Sequence, residues 1–219
     1  MDVERLTLGR MQNPVRGFLH GGAAVVSAVG LGLLVARVWG DGSRMVAAIV
    51  FGVSLVAMYT VSALFHSIDW RPTVWRWMQR VDHSMIFLLV AGTTTPLAIA
   101  GLSGWPLVGA LGVVWGIALV GITLKLTLRS PLTWLSVTLQ LIMGWSAVVW
   151  FPALLERFSW AEAWPIIAGG LAYTIGVVFY ATQRPRLFPR VFSAHELFHV
   201  LVVTASSLHF AAVWRLLPA

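Results

Sequence analysis

Cysteine is absent from the 219 residues, which removes disulfides, thiolate zinc ligands, iron–sulfur clusters and cysteine nucleophiles together. Any bound metal must therefore sit on His, Asp or Glu. Charge is scarce as well: Asp, Glu, Lys and Arg make up 11% of the chain, against about 25% in a soluble domain. Only one of the fifteen basic residues is lysine, Lys125, and the arginines fall in short clusters between apolar runs. The net charge of +7 thus reads as membrane orientation and excludes a nucleic-acid surface. Internal repeats and low-complexity tracts are missing too, which excludes solenoids, disorder and coiled coil.

What is present in excess is apolar. Hydrophobic residues are 58% of the chain, with twelve tryptophans and a mean hydropathy of +0.84. Marking the apolar stretches by their breaks predicts seven spans, near 17–39, 44–67, 81–101, 105–126, 131–150, 161–182 and 194–217. At 1.5 Å per residue, about 20 residues cross a hydrocarbon core of roughly 30 Å. The first run is too long for the core of a signal peptide and reads as an uncleaved span. The expected fold is all-α, a seven-transmembrane helix bundle forming a single integral membrane domain over 1–219.

With the N-terminus cytoplasmic, the inner segments collect eleven basic residues: Arg5, Arg10, Arg16, Arg71, Arg76, Arg80, Lys125, Arg129, Arg184, Arg186 and Arg190. The outer segments hold four, Arg37, Arg44, Arg157 and Arg215. This bias predicts N-terminus inside and C-terminus outside, in a multi-pass protein of the inner cell membrane. Residues 68–80 carry Trp70, Val74, Trp77 and Met78 at helical spacing among arginines, and are expected to form a short amphipathic helix in the inner interface. Gly17/Gly21 and Gly112/Gly116 have the spacing of close helix contacts. Pro96 is expected to bend the third span, with Thr93, Thr94 and Thr95 as hydrogen-bond partners.

An ionisable residue within a membrane is expensive enough to mark a functional site. His66 ends span two, Asp82 and His83 open span three, and His195, Glu196 and His199 open span seven. All are predicted at one depth, on the cytoplasmic side, by the arginine distribution alone. His195 and His199 stand at i and i+4, on one helical face about 6 Å apart in rise. They can share an ion whose third ligand is best supplied by His66, and three neutral imidazoles with a fourth position left for water describe a catalytic zinc site.

Two readings fit Asp82: a group that orients or deprotonates the water, or a partner for Arg80 or helix cap. Two also fit Ser62, one turn from His66: a donor to a developing oxyanion, or a packing residue bonded to its own i−4 carbonyl. His83 points about 100° away from Asp82 and falls outside the ligand set. His20 has suitable depth but no pair in sequence, and reads as packing. His209, roughly 15 Å deeper by helical rise, reads as a buried hydrogen-bonding residue.

His195-Glu196-Leu197-Phe198-His199 also matches H-E-x-x-H, the metalloprotease helix in which Glu is the base. Against a protease, the motif opens the last span with nothing acidic behind it. A closer likeness is carried by three linked regions. Ser62-Ala63-Leu64-Phe65-His66, then Arg80-Val81-Asp82-His83 running to Ala91-Gly92-Thr93-Thr94-Thr95-Pro96, then His195-Glu196-Leu197-Phe198-His199-Val200 resemble the signature regions of the hemolysin III family. That family is the bacterial-type branch of the progestin and adipoQ receptor family, itself similar to alkaline ceramidases.

The resemblance covers spans two to seven. It implies zinc near the cytoplasmic face, held by histidines matching His66, His195 and His199. It also implies an aspartate associated with the metal's water, matching Asp82, and a serine matching Ser62. Glu196 falls in the variable interior of the family's H-x-x-x-H and inherits no protease role.

Residues and resemblance together lead to one expectation: a zinc-dependent hydrolase of a lipid amide or ester at the cytoplasmic leaflet, with a role in membrane lipid homeostasis and a membrane lipid as its partner. The alternative is a non-enzymatic lipid sensor in which zinc only ties spans two, three and seven together. Transport would need polar residues through the midplane, and Thr204, Ser206, Ser207 and His209 are the sole approach to such a path.

Overall fold

The computed structural model describes residues 11, 13–128, 133–188 and 191–217. Its elements, in order, are α1 Pro14–Arg37, α2 Gly42–Ser67, α3 Pro72–Gly101, α4 Gly104–Thr127, α5 Thr133–Trp145, α6 Ala147–Leu155, α7 Trp160–Thr182 and α8 Ala194–Leu216. Among the described residues there is no strand; Phe188 and Phe192 form an isolated bridge. Seven helices are long and apolar enough to cross a membrane, α5 and α6 together making the fifth. The expected start of that span at 131, and Arg5, Arg10, Arg129 and Arg190, lie outside the described residues.

Local chemistry sets where the helices begin. Pro14 and Pro72 occupy the first turns of α1 and α3, where a missing N–H costs nothing. Asp41 caps α2 by accepting from the Arg44 amide at 2.9 Å, and that bond holds its carboxyl below the usual carboxylate range. Reciprocal capping boxes open α7 (Ser159 and Glu162) and α8 (Ser193 and Glu196), each satisfying two orphan donors. The fifth span breaks at Ser146, whose hydroxyl donates to the Met143 carbonyl at 2.6 Å.

Two expectations are corrected here. Residues 72–80 are helical but continuous with the third span, so no separate interfacial helix exists; α3 runs unbroken for 30 residues. The amphipathic pattern reported a change of surroundings along one helix and not a break in it. Gly112 and Gly116 meet nothing within 4 Å and so face outward. Because α4 is apolar on every side, its glycine spacing carries no sign of which face is packed.

Gly17, by contrast, lies against the Ser67 side chain, with Gly21 above Ala63, as a small-residue contact requires. α3 also passes Pro96 without ending; Thr94 and Thr95 donate to the Val90 and Ala91 carbonyls.

α3 is the central element. Its apolar stretch is 67% buried inside the protein, against 17% for α1 and α4, and it packs on α2, α4, α5, α6 and α8. The outer faces are apolar as well: Val26, Leu119 and Val149 are 71%, 68% and 86% exposed, a distribution suited to lipid. Arg37, Arg157 and Arg215 bond the Leu217, Ala100 and Ala161 carbonyls at one end of the bundle. At the other, the Asn13 amide donates to the His66 carbonyl at 3.0 Å and Arg80 to that of Leu126.

Close approach of α2 and α3 depends on Gly92, where a Cβ would stand 2.5 Å from the Ser54 Cβ and 3.3 Å from the Val50 carbonyl oxygen. We expect Gly92→Ala to lower stability by about 1–3 kcal/mol. Thermal unfolding in detergent measures this, and an unchanged midpoint would mean the two helices separate freely.

Candidate metal centre

The polar end of the bundle is assembled from α1, α2, α3, α7 and α8. α2 presents Ser62 and His66 one turn apart, both buried; the first two turns of α8 present His195 and His199. One ligand nitrogen from each of His66, His195 and His199 lies within 4.8 Å of the others. Their ring centroids are 5.6 Å (His66 to His195), 4.8 Å (His66 to His199) and 5.0 Å (His195 to His199) apart. The donor set is neutral, compact and drawn from two helices, and the buried Nδ1 of His199 has no hydrogen-bond partner. Such a group can hold a metal ion, each imidazole offering one ring nitrogen to a common point.

Asp82 reaches this site from the third turn of α3. It stands beside Ser62, and both side chains line the cavity. Arg80 turns to the Leu126 carbonyl instead, and the helix starts ten residues earlier, at Pro72, so neither the ion-pair nor the cap reading of Asp82 applies. His83 lies outside the three-imidazole group, on the side of Lys125. His209 packs on Gly169 and its Nε2–H donates to the Ile166 carbonyl at 3.1 Å, the buried hydrogen-bonding role expected of it.

Three residues that sequence reasoning set apart complete the site. His20 stacks its ring 4.1 Å from that of His199 and 5.0 Å from that of Tyr59, with no hydrogen bond to either ring nitrogen. The signal available for it was depth alone. Arg16 and Glu196 form a buried ion pair, both Nε and Nη2 lying 2.7 Å from Oε1. Glu196 Oε2 accepts from the Ser193 amide at 2.8 Å. Both oxygens of the acid in His195-Glu196-Leu197-Phe198-His199 are thus engaged in holding α1 and the start of α8, which removes the base a protease would need.

Beside the histidines lies a cavity of about 170 Å³ lined by residues of all eight helices. Ser62, Asp82, His195 and His199 lie at its polar end, and its walls include Leu89, Leu97, Phe151, Ile167 and Val202. Tyr180 of α7 meets His195 edge-on at 5.3 Å and forms part of the rim.

Residues 9–210 match the family described as Haemolysin-III related. Hemolysin-3 of Bacillus cereus is 31% identical over 96% of this chain and 94% of its own length. The Hemolysin-3 homolog of Bacillus subtilis (strain 168) is 31% identical over 89% of each. A heptahelical transmembrane protein of Oryza sativa subsp. japonica is 35% identical over 55% of this chain and 56% of its own. With the family match and the Bacillus relatives running through all seven helices that bring the three histidines together, this chain belongs to the haemolysin III family.

Proposed function

We propose that the chain is a zinc-dependent hydrolase of a lipid amide or ester, acting at the cytoplasmic leaflet of the cell membrane in lipid homeostasis. The observation that carries this reading is a three-imidazole group two of whose rings, His195 and His199, line an apolar cavity together with Ser62 and Asp82. The eleven-to-four bias of basic residues favours placing that end inside. His66, His195 and His199 would hold the ion. Bound there, zinc supplies Lewis acidity, lowering the pKa of water to about 7 and polarising an acyl carbonyl.

The protein's own residues then have distinct tasks. The cavity walls hold the acyl chain in an apolar environment while the polar bond stays at the rim. Asp82 takes the proton from water as its oxygen bonds to the acyl carbon, and returns it to the departing nitrogen or oxygen when that bond breaks. Once Asp82 is protonated it is a weaker acceptor, and the Ser62 hydroxyl turns to the developing oxyanion. Glu196 takes no part, since its oxygens are engaged by Arg16 and Ser193.

The test is fatty-acid release from a total membrane lipid extract by reconstituted, zinc-loaded protein. We expect Asp82→Asn to retain metal and lose about a hundredfold in turnover. A parent protein that releases no fatty acid, with Asp82→Asn altering only thermal stability, would overturn the hydrolase and favour the lipid sensor.

A further inference from the structure

Beside the cavity, on the same end of the bundle, α3, α4 and α5 enclose a second pocket of about 340 Å³. Arg76, Arg80 and Lys125 line it together with His83, and none of its described lining residues is acidic. This pocket shares a wall with the first: His83, Lys125, Thr133, Ser136 and Tyr180 line both. It is a cationic vestibule beside an apolar chamber, with Tyr180 in contact with His195.

Lys125, the one lysine of the chain, is the informative residue. It is 9% exposed, yet among the described residues it has neither an ion pair nor a hydrogen bond. Placement in the last turn of α4 would ordinarily let it bond the helix-end carbonyls. Those carbonyls already carry donors: Thr123 from the Thr127 hydroxyl, Leu124 from the Leu128 amide and Leu126 from Arg80. Its ammonium is left facing the vestibule and the His83 ring, with a partial desolvation cost that no described residue offsets. Positive-inside topology accounts for exposed arginines at a membrane surface, but not for a lysine withdrawn from it. On the facing wall Arg76 and Arg80 stand one turn apart on the same side of α3, and guanidinium forks match phosphate oxygens.

We propose that this vestibule binds the phosphate of an anionic phospholipid, with Lys125 as the buried point charge and Arg76 and Arg80 as the outer clamp, while an acyl chain of the same lipid enters the cavity. Basic pockets between membrane helices bind anionic headgroups by this chemistry. As a statement of substrate class the inference rests on the hydrolase reading; as a statement of binding it does not. A free phosphate offers the same oxygens without the chain, so the two sources are separated by experiment.

The experiment measures thermal stability of detergent-purified full-length Asp82→Asn protein, which removes turnover from the readout. The ligands are dioctanoyl phosphatidylglycerol, dioctanoyl phosphatidylcholine and inorganic phosphate. Phosphatidylglycerol is expected to raise the midpoint by about 5 °C near saturation, with much smaller shifts for the other two.

Adding Lys125→Met should leave the midpoint without lipid unchanged or slightly raised, because a partly desolvated charge without a described partner is gone, and weaken phosphatidylglycerol binding at least about tenfold. Arg76→Gln, at an exposed position, should weaken it without altering the unliganded midpoint. Equal shifts from the two lipids, or an undiminished phosphatidylglycerol shift in Lys125→Met, would overturn the proposal. A phosphate shift as large as the lipid's would overturn its lipid component. Binding without turnover in the parent would defeat the hydrolase while leaving the headgroup site in place.

Discussion

Alanine at His66, His195 or His199 is expected to strip the metal from the purified protein. Elemental mass spectrometry should find about one zinc per parent chain and less than about a tenth of that in each variant, since a three-ligand site reduced to two loses most of its affinity. The expectation follows from geometry. His66 belongs to α2 and the other two to α8, so removing any one leaves either an i,i+4 pair on a single helix or a pair split between helices. An ion that binds only the folded bundle also stabilises it, by about 4 kcal/mol when free zinc stands a thousandfold above its dissociation constant. Chelation should therefore lower the unfolding midpoint of the parent and leave the three variants unmoved.

His20 is the control. Its ring packs on His199 at 4.1 Å but its nitrogens are not among those that converge. His20→Ala should lose stability and keep metal. Stoichiometric zinc in all three ligand variants, or a parent midpoint indifferent to chelation, would dispose of the metal centre and of the hydrolysis proposed for it.

The helices and the histidine group were legible from residues for different reasons. Apolar length alone marks a span, and i,i+4 spacing alone puts His195 and His199 on one face. Their meeting with His66 and Asp82 was reachable because arginine bias sorts helix ends by depth, and depth restricts which polar residues can touch. What depth cannot give is rotation. A helix bathed in lipid is apolar all round, so its pattern does not say which face turns inward; this is why Gly112 and Gly116 seemed to be packing positions and are exposed.

Rotation also decides that Arg16, counted as one more inner-face charge, points into the protein toward Glu196, that His20 lands on His199, and that Lys125 is withdrawn from the surface. The break expected before the third span failed for a related reason. Arginines among Trp75, Trp77 and Met78 signal an interface, and a helix can cross an interface without ending.

The second large effect is expected at the Arg16–Glu196 pair. Both side chains are buried, at 5% and 4% exposure, and they join residues 180 apart in sequence, fastening the start of α1 to the start of α8. Removing one partner leaves an uncompensated charge, so Arg16→Ala should destabilise by about 3–5 kcal/mol. Glu196→Ala should cost about 1 kcal/mol more, because its other oxygen caps α8 through the Ser193 amide.

Glutamine can keep that cap, as it does in capping boxes generally. The double variant Arg16→Met with Glu196→Gln should thus recover most of the loss, whereas independent contributions would add. Denaturant unfolding of the parent, Arg16→Met, Glu196→Gln and the double variant in one detergent gives the cycle. Arg16→Ala within about 0.5 kcal/mol of the parent would show that the pair does not hold the bundle end. The same set tests its connection to the site: α8 carries two of the three converging imidazoles, and α1 braces it one residue beyond His195. Loosening that brace should lower zinc occupancy in Arg16→Ala although every ligand is intact, with occupancy returning in the double variant.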